Sequence, residues 1–230
     1  ALAHIIAKLK DEDGRIQVPG FYDAVLEVTP EEHASLNALG FDDERLKTDV
    51  GVDALVGEHG YTTPERLWAR PTLDVNGFIG GFTGEGAKTV LPARAMAKIS
   101  MRLVPHQKHD DIAAKVIRYI ESIAPAGTRV HVRDLHGADP VLVPRDTAAI
   151  RAAVTALEET FGTPCRFTRE GGSIPVVLLF DTVLHAPTVL MGFGLNNENA
   201  HSPDEHFDLS NFHTGMRAVA RYHELMRTAQ

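Results

Sequence analysis

The stretch Ala95-Met-Ala-Lys-Ile-Ser-Met-Arg-Leu-Val104 decides the fold of the first half of the chain. Apolar side chains occupy alternate positions, at Ala97, Ile99, Met101 and Leu103. The positions between them are polar, at Lys98, Ser100 and Arg102. This period of two predicts a β-strand with one face on a core and the other toward solvent. Arg102 is therefore expected on the exposed face.

Two more strands are predicted around this one. Residues 72–82 have strand character that is interrupted at Asn76-Gly77, and residues 129–133 alternate again with Val130 and Val132 facing inward. Two helices complete the pattern: one opens the chain and stops at Asp13-Gly14, and the other begins near Asp110 and Asp111. The order predicts an α+β sandwich of the ferredoxin-like kind, an antiparallel sheet covered on one face by two helices.

The same half contains a Pro-, Gly- and charge-rich region, residues 18–70, which predicts a long irregular insertion with one short helix near residues 30–39. The opening helical spacing starts at the second residue without an initiating Met or a cap, so we expect the chain to begin inside a longer sequence. Two domains are predicted, residues 1–137 and residues 138–230.

The second half has a different pattern. Asp146 is a candidate cap for a helix that Gly162 closes, and Asp208 or Ser210 is a candidate cap for the last helix. Between them, residues 166–169 predict a strand, residues 174–184 a helix capped by Ser173, and residues 187–193 a strand that is apolar on both faces. This βαβ unit predicts part of a buried parallel sheet that is too small to be complete.

Composition excludes several classes of function. The net charge of −8 and the pI near 5.8 argue against nucleic-acid binding, which needs clustered Lys and Arg. No stretch approaches the about 20 apolar residues of a membrane span. The single cysteine, Cys165, cannot form an internal disulfide or a thiolate metal site, which predicts an inert thiol in a cytoplasmic protein.

Two segments are candidate sites, because ligands bind beyond the carboxyl ends of parallel strands. Glycines in Glu170-Gly-Gly-Ser173 would leave N–H groups free to hold a carboxylate or oxyanion, with Glu170 placed to hold an amine; an ordinary strand-to-helix turn explains the spacing equally well. His201 lies in a polar loop and is either a metal ligand or part of a turn. The His-x-Asp spacings at His109 and His206 are expected to be helix starts.

Four segments in order resemble the co-catalytic zinc peptidases, which include carnosinase-type dipeptidases, aminoacylases and succinyl-diaminopimelate desuccinylase. The segments are Gly84-Glu-Gly-Ala-Lys-Thr-Val-Leu-Pro92, Ala97-Lys-Ile-Ser-Met-Arg-Leu-Val-Pro105, Glu170-Gly-Gly-Ser-Ile-Pro175 and Asn199-Ala-His-Ser-Pro-Asp-Glu205. The third segment is more similar to the dipeptidase branch. The resemblance implies a lid and dimerisation domain followed by the C-terminal part of an α/β zinc-peptidase domain.

The resemblance also implies roles for particular residues. His201 would be a zinc ligand, Arg102 would grip the substrate carboxylate with Thr89 beside it, and Glu170, Gly172 and Ser173 would line the substrate pocket. Two zinc ions per intact subunit, a dipeptide or N-acyl amino acid substrate and a homodimer through the lid are expected.

Upstream of the lid, members of this family carry a His-x-Asp motif, a Glu-Glu pair that holds the general base and further acidic ligands, and no matching upstream segment exists here. No catalytic residue is therefore assigned, and one histidine cannot hold zinc, which takes about four ligands. We expect the 230 residues alone to bind no stoichiometric zinc and to be inactive. A dimerisation or binding module without catalysis, and a deacylase of the same family, are the alternatives.

Overall fold

The computed structural model describes residues 1–169, 175–186, 188–200 and 202–228. The chain divides into two compact units. Unit 1 contains Ala1–Thr48, Val52–Pro140 and Arg169–Pro175, and unit 2 contains Asp49–Gly51, Val141–Thr168 and Val176–Gln230. The division after Pro140 lies close to the boundary predicted after Gly137. That residues 1–137 and residues 138–230 are separate domains stays a prediction. No helix of the described residues has the length and apolar character needed to cross a membrane.

The helices and strands follow one another in two groups. In the first group the elements are α1 (Leu2–Ile6), α2 (Pro30–Asn37), α3 (Asp43–Val50), α4 (Thr63–Trp68), β1 (Thr72–Gly80), β2 (Ala95–Arg102) and α5 (His109–Ser122). In the second they are α6 (Ala148–Phe161), α7 (Pro175–Leu184) and α8 (Leu209–Thr228).

The sheet of unit 1 is an antiparallel pair. β1 and β2 pair from Thr72 opposite Arg102 to Gly80 opposite Ala95, with an irregularity between Val75 and Gly77. The predicted interruption at Asn76-Gly77 is thus a β-bulge, in which one strand carries an extra residue. The third predicted strand, residues 129–133, is wrong. Val130 and Val132 do pack inward against the core, but the backbone there makes no ladder with β1 or β2 among the described residues.

The core of unit 1 lies between this hairpin, α5 and the chain before residue 22. Its buried members are Ile5, Leu9, Ile16, Val18, Phe21, Leu73, Ile112, Val116 and Ile120. The apolar stripe predicted for α5 is confirmed, and Asp110 and Asp111 occupy its first turn. The opening helix is shorter than predicted, because the backbone N–H groups of Lys8 and Leu9 donate to carbonyls three residues back, at Ile5 and Ile6, and so form tight turns in place of an α-helix.

The expectation of an irregular insertion at residues 18–70 is corrected in two respects. The region contains three helices, α2, α3 and α4, where one was expected. Its first residues are also part of the core, since Val18 and Phe21 are 3% and 1% exposed. The buried side chain of Gln107 fixes this start, donating to the carbonyl of Phe21 at 2.8 Å and accepting from the backbone of Val104 at 2.9 Å.

Unit 2 is described as helices and connecting loops. Thr147 caps α6, since its hydroxyl accepts from the backbone of Ile150 at 3.2 Å, so the predicted Asp146 cap is wrong by one residue. Gly162 closes α6 in the left-handed region, as predicted. The strands expected at residues 166–169 and 188–193 are absent from the described part of the chain, where neither has a hydrogen-bonded neighbour strand. Ser173 and Pro187 lie outside the described residues.

Candidate active site

The structure describes only part of the predicted site. Arg102 and Thr89 are described, both in unit 1. Glu170, Gly172, Ser173 and His201 lie outside the described residues. Their predicted roles therefore stay predictions. The structure describes the surroundings of Arg102 and Thr89 and the chain that flanks the other four residues.

Arg102 ends β2 on the exposed face of the hairpin. Its neighbours on the other face, Ile99 and Met101, pack against the core of unit 1, so the predicted alternation is confirmed. The guanidinium group of Arg102 makes no hydrogen bond or ion pair with the described residues. Its five N–H donors are thus available to a ligand, and their planar fork matches the two oxygens of a carboxylate.

Thr89 lies in the exposed connection between β1 and β2. The backbone N–H of Val90 donates to the carbonyl of Lys88 at 3.0 Å, which closes a γ-turn centred on Thr89. The ammonium group of Lys88 lies 5.2 Å from the ring centroid of Phe82. No hydrogen bond joins Thr89 to Arg102, so the structure does not bring these two predicted carboxylate-binding residues into direct hydrogen-bonding contact.

The chain before Glu170 is held by an ion pair that the sequence analysis missed. Arg169 Nη2 lies 2.7 Å from Glu32 Oε1 in α2, and both side chains are largely buried, at 18% and 15% exposure. α2 is itself fixed on either side of this contact: Thr29 caps it by accepting from the backbone of Glu32 at 3.2 Å, and His33 bonds the buried carboxylate of Glu65 at 2.5 Å. The insertion thus anchors the residue that precedes the predicted pocket segment.

Both His-x-Asp spacings are helix starts, as predicted. His109 opens α5, and its backbone N–H donates to Asp139 Oδ1 at 2.8 Å. Hydrogen bonds from Lys108 and from this N–H hold the pKa of Asp139 below its usual value. At the other site Asp208 caps α8, accepting from the backbone of Asn211 at 3.0 Å. A hydrogen bond from the Ser210 hydroxyl lowers the pKa of Asp208.

The described residues offer no metal centre of their own. No group of three or more His, Cys, Asp or Glu side chains among them is arranged to hold a metal ion. Burial raises the pKa of the Cys165 thiol, which agrees with the inert thiol predicted from sequence.

A buried arginine cluster is the main polar feature that sequence reasoning missed. Arg70 is 2% exposed and makes a bidentate contact with Glu58, at 2.8 Å from Nε and 2.9 Å from Nη2. Burial acts to lower the pKa of Arg70, but the hydrogen bonds and charge of Glu58 raise it overall. Arg15 also reaches Glu58 at 3.0 Å. The rings of Tyr22 and Tyr61 lie 5.0 and 4.3 Å from the Arg70 guanidinium.

A cavity of about 400 Å³ borders this cluster. It is lined by Asp13, Arg15, Glu58, His59, Gly60 and Tyr61. None of these is a predicted site residue. Its charged lining consists of two carboxylates, Asp13 and Glu58, and one guanidinium, Arg15.

Comparison with known proteins decides the family. Residues 1–128 match the family model of the M20 peptidase dimerisation domain. The chain belongs to the M20 peptidase family. The resemblance read from the four segments is thereby confirmed, and unit 1 of this M20 chain contains the dimerisation, or lid, domain. Among the described residues its sheet has two strands, β1 and β2, which corrects the larger ferredoxin-like sheet expected from sequence.

Relatives of this M20 chain are dipeptidases. It is 32% identical over 228 residues to the Cys-Gly metallodipeptidase dug1 of Schizosaccharomyces pombe, covering 97% of this chain and 48% of that protein. It is 30% identical over 224 residues to the human Beta-Ala-His dipeptidase, covering 96% and 44%. The dipeptidase branch suggested by the Glu170 segment is therefore confirmed as the branch of these relatives.

Solved structures give the same assignment. Human carnosine dipeptidase 1 matches with a TM-score of 0.83 and 29% identity, over 100% of this chain and 48% of that one. The M20 family metallo-carboxypeptidase Sso-CP2 from Sulfolobus solfataricus matches with a TM-score of 0.83 and 28% identity, over 97% and 51%. The M20 chain thus spans about half the length of the relatives it matches.

Proposed function

We propose that this chain is the lid and the C-terminal part of the catalytic domain of a zinc-dependent dipeptidase that cleaves short peptides with a free C-terminal carboxylate. The observation that carries the proposal is the exposed side chain of Arg102, which is unpaired among the described residues and lies opposite the partly buried face of β2 that packs on the core. Such a group selects a substrate carboxylate. The dipeptidases and the carboxypeptidase among the relatives support this class of substrate.

Each predicted residue has a role in this proposal. Arg102 holds the substrate carboxylate, and Thr89 provides a further hydroxyl donor beside it. Glu170 binds the substrate amine, while Gly172 and Ser173 line the pocket. His201 is one zinc ligand. The general base and the remaining ligands belong to residues outside these 230.

Zinc fits this chain only in part. An imidazole nitrogen is a suitable ligand, but zinc takes about four ligands, and the described residues add no cluster to His201. When bound, the ion activates a water molecule and polarises the scissile carbonyl. The contribution of this chain to the reaction is substrate binding and orientation.

The proposal predicts a difference between the chain and the complete protein. The 230 residues alone are expected to hold less than 0.1 zinc per chain after dialysis and to hydrolyse no dipeptide, which elemental analysis and a dipeptidase assay measure. The complete protein should hydrolyse dipeptides, and His201→Ala should lower its zinc content by about one ion per subunit and its activity by at least about 100-fold. Hydrolysis of N-acyl amino acids in place of dipeptides would favour the deacylase alternative, and no hydrolysis of either would favour a binding module.

A homodimer through the lid is the proposed assembly. Among the described residues β1 and β2 pair only with each other, so each has an unpaired edge that invites another strand. The hairpin also exposes large apolar side chains: Val75 at 41%, Phe78 at 52%, Ile79 at 63% and Met96 at 50%. A self-complementary surface of this kind is typical of two-fold dimers.

Ile79→Lys is expected to weaken the dimer at least 100-fold, because it places a charge in an apolar interface. Sedimentation equilibrium measures the dissociation constant. Leu135→Lys is the matched control, since Leu135 is equally exposed at 63% but lies outside the hairpin, and it should leave the constant unchanged. Equal weakening by both substitutions would argue against the hairpin as the interface.

A further inference from the structure

Three contacts fasten residues 134–139 to His109, the first residue of α5. Asp139 accepts from the backbone N–H of His109 at 2.8 Å. The imidazole Nε2 of His109 lies 3.3 Å from Asp134 Oδ2. Between these two contacts, a Cβ on Gly137 would overlap the His109 ring, so the ring lies directly against the backbone of this glycine. The segment is therefore held on the start of α5 at both of its ends and in its middle.

The imidazole of His109 lies between two carboxylates. Its Nδ1 is 3.1 Å from Asp110 Oδ1 on α5 itself, and its Nε2 faces Asp134 on the segment. A neutral imidazole has a single N–H, and an ionised carboxylate has no hydrogen to donate, so the neutral ring would turn a lone pair toward one of the two carboxylates. The protonated ring has an N–H at each nitrogen and attracts both carboxylates. The geometry thus fits the charged form of His109.

Burial strengthens this preference for the charged ring. The Nε2 atom is buried and makes no hydrogen bond within the described part of the chain, since the carboxylate of Asp134 is close to it but not aligned. Attraction between opposite charges needs no such alignment, so it stabilises the protonated ring where the neutral ring has no partner. The dipole of α5 acts against a cation at its start, and the two carboxylates offset it. The other charged groups at this helix start are paired elsewhere: Lys108 with Asp139 at 2.9 Å and Asp111 with Lys115 at 2.8 Å.

We propose that His109 is a pH-sensitive clasp on residues 134–139: its protonated ring holds the segment against α5, and loss of the proton loosens the segment. Histidine is the side chain whose charge ordinarily changes between about pH 5 and pH 8. Because the clasped state binds the proton more tightly than the open state, the clasp is closed at the acidic end of this range and opens as the pH rises. The segment leads to Pro140, where this stretch of unit 1 ends and unit 2 resumes at Val141. The pH therefore controls how firmly the chain is held where it leaves unit 1.

Hydrogen exchange of the complete protein, followed by mass spectrometry, tests the clasp. The backbone amide of His109 is the reporter, because its acceptor is Asp139 on the clasped segment. After correction for the intrinsic effect of pH on exchange, its protection is expected to fall at least about fivefold between pH 6 and pH 8. In His109→Gln, which has no titrating ring, protection should change by less than about twofold over the same range. His131→Gln is the matched control, since His131 is an exposed histidine shortly before the segment, and it should retain the full fall.

Two more variants test the parts of the clasp. Asp134→Asn should reduce the fall in protection to less than about twofold, because a neutral amide can donate to a neutral imidazole. Gly137→Ala displaces the ring and should lower the protection of the His109 amide at both pH values, while the amide of Val116 in the middle of α5 stays protected. An equal fall in His109→Gln, or no fall in the unsubstituted protein, would overturn the proposal. If Gly137→Ala also exposes the Val116 amide, it has disrupted α5, and Asp134→Asn decides: a full fall in that variant overturns the clasp.

Discussion

Replacing Arg102 by lysine in the complete protein is expected to lower kcat/KM for dipeptides with a free C-terminal carboxylate by about 100-fold, which corresponds to about 2.7 kcal/mol. Arginine holds both carboxylate oxygens with a rigid planar fork, and lysine offers a single ammonium group in one direction. The side chain of Arg102 has no partner among the described residues, so the transition-state stabilisation that is lost is that of its contact with the substrate. Steady-state kinetics with matched free and C-amidated dipeptides measure it.

Amidated dipeptides provide the internal control for Arg102. They lack the charged partner, so Arg102→Lys should change their kcat/KM by less than about threefold. Lys98 shares the exposed face of β2, and Lys98→Met tests whether any positive charge on this face attracts acidic substrates. Equal losses for free and amidated peptides in Arg102→Lys, or a loss in Lys98→Met as large as in Arg102→Lys, would remove Arg102 from its role as the carboxylate clamp.

The parts of the fold that sequence predicted correctly are those whose pattern is local. The alternation in β2 and the stripe of α5 each follow from side chains that face the same core, so spacing alone identifies them. Gly162 is similar, since a left-handed helix end favours glycine. At the start of α6 the general preference of helix caps for Asp over Thr selected Asp146, whereas the structure uses its neighbour Thr147.

The predicted strands of unit 2 show a different limit. A strand is completed by hydrogen bonds to a neighbouring strand, and residues 166–169 and 188–193 have none among the described residues. Apolar side chains in this unit are correspondingly exposed, with Leu190 at 57% and Val183 at 67%. The residue pattern correctly predicted apolar segments. Whether such a segment forms a strand depends on a neighbouring strand, which the local sequence does not specify.

Pairs of distant residues account for most of what sequence reasoning missed at the candidate site. Arg169 meets Glu32 across 137 positions, and Asp139 caps α5 from 30 positions away. Such contacts follow no sequence period and no motif. Charged residues occur in every loop of the chain, so the sequence does not indicate which of them will pair. By contrast, Arg102 was found because the strand pattern fixed its face before its role was considered.

The buried pair of Arg70 and Glu58 should dominate the stability of unit 1. Arg70→Met is expected to lower the free energy of unfolding by about 3–5 kcal/mol, since it leaves the buried carboxylate of Glu58 with only the partly exposed Arg15 as a partner. Urea unfolding followed by fluorescence of Trp68, the single tryptophan, measures this change. Trp68 lies in α4 beside Arg70 and packs against Phe41, so it reports on this unit.

Two variants separate the cost of an unpaired buried charge from the loss of arginine packing. Adding Glu58→Gln to Arg70→Met should recover about 1–3 kcal/mol of the free energy of unfolding, because no buried charge then lacks a partner. The unsubstituted chain, the two single variants and the double variant form a double-mutant cycle. Lys10→Met breaks an exposed ion pair with Asp74 in the same unit and should cost under about 1 kcal/mol. If Arg70→Met costs no more than Lys10→Met, or if Glu58→Gln adds to the loss, the ion pair between Arg70 and Glu58 is not what stabilises unit 1.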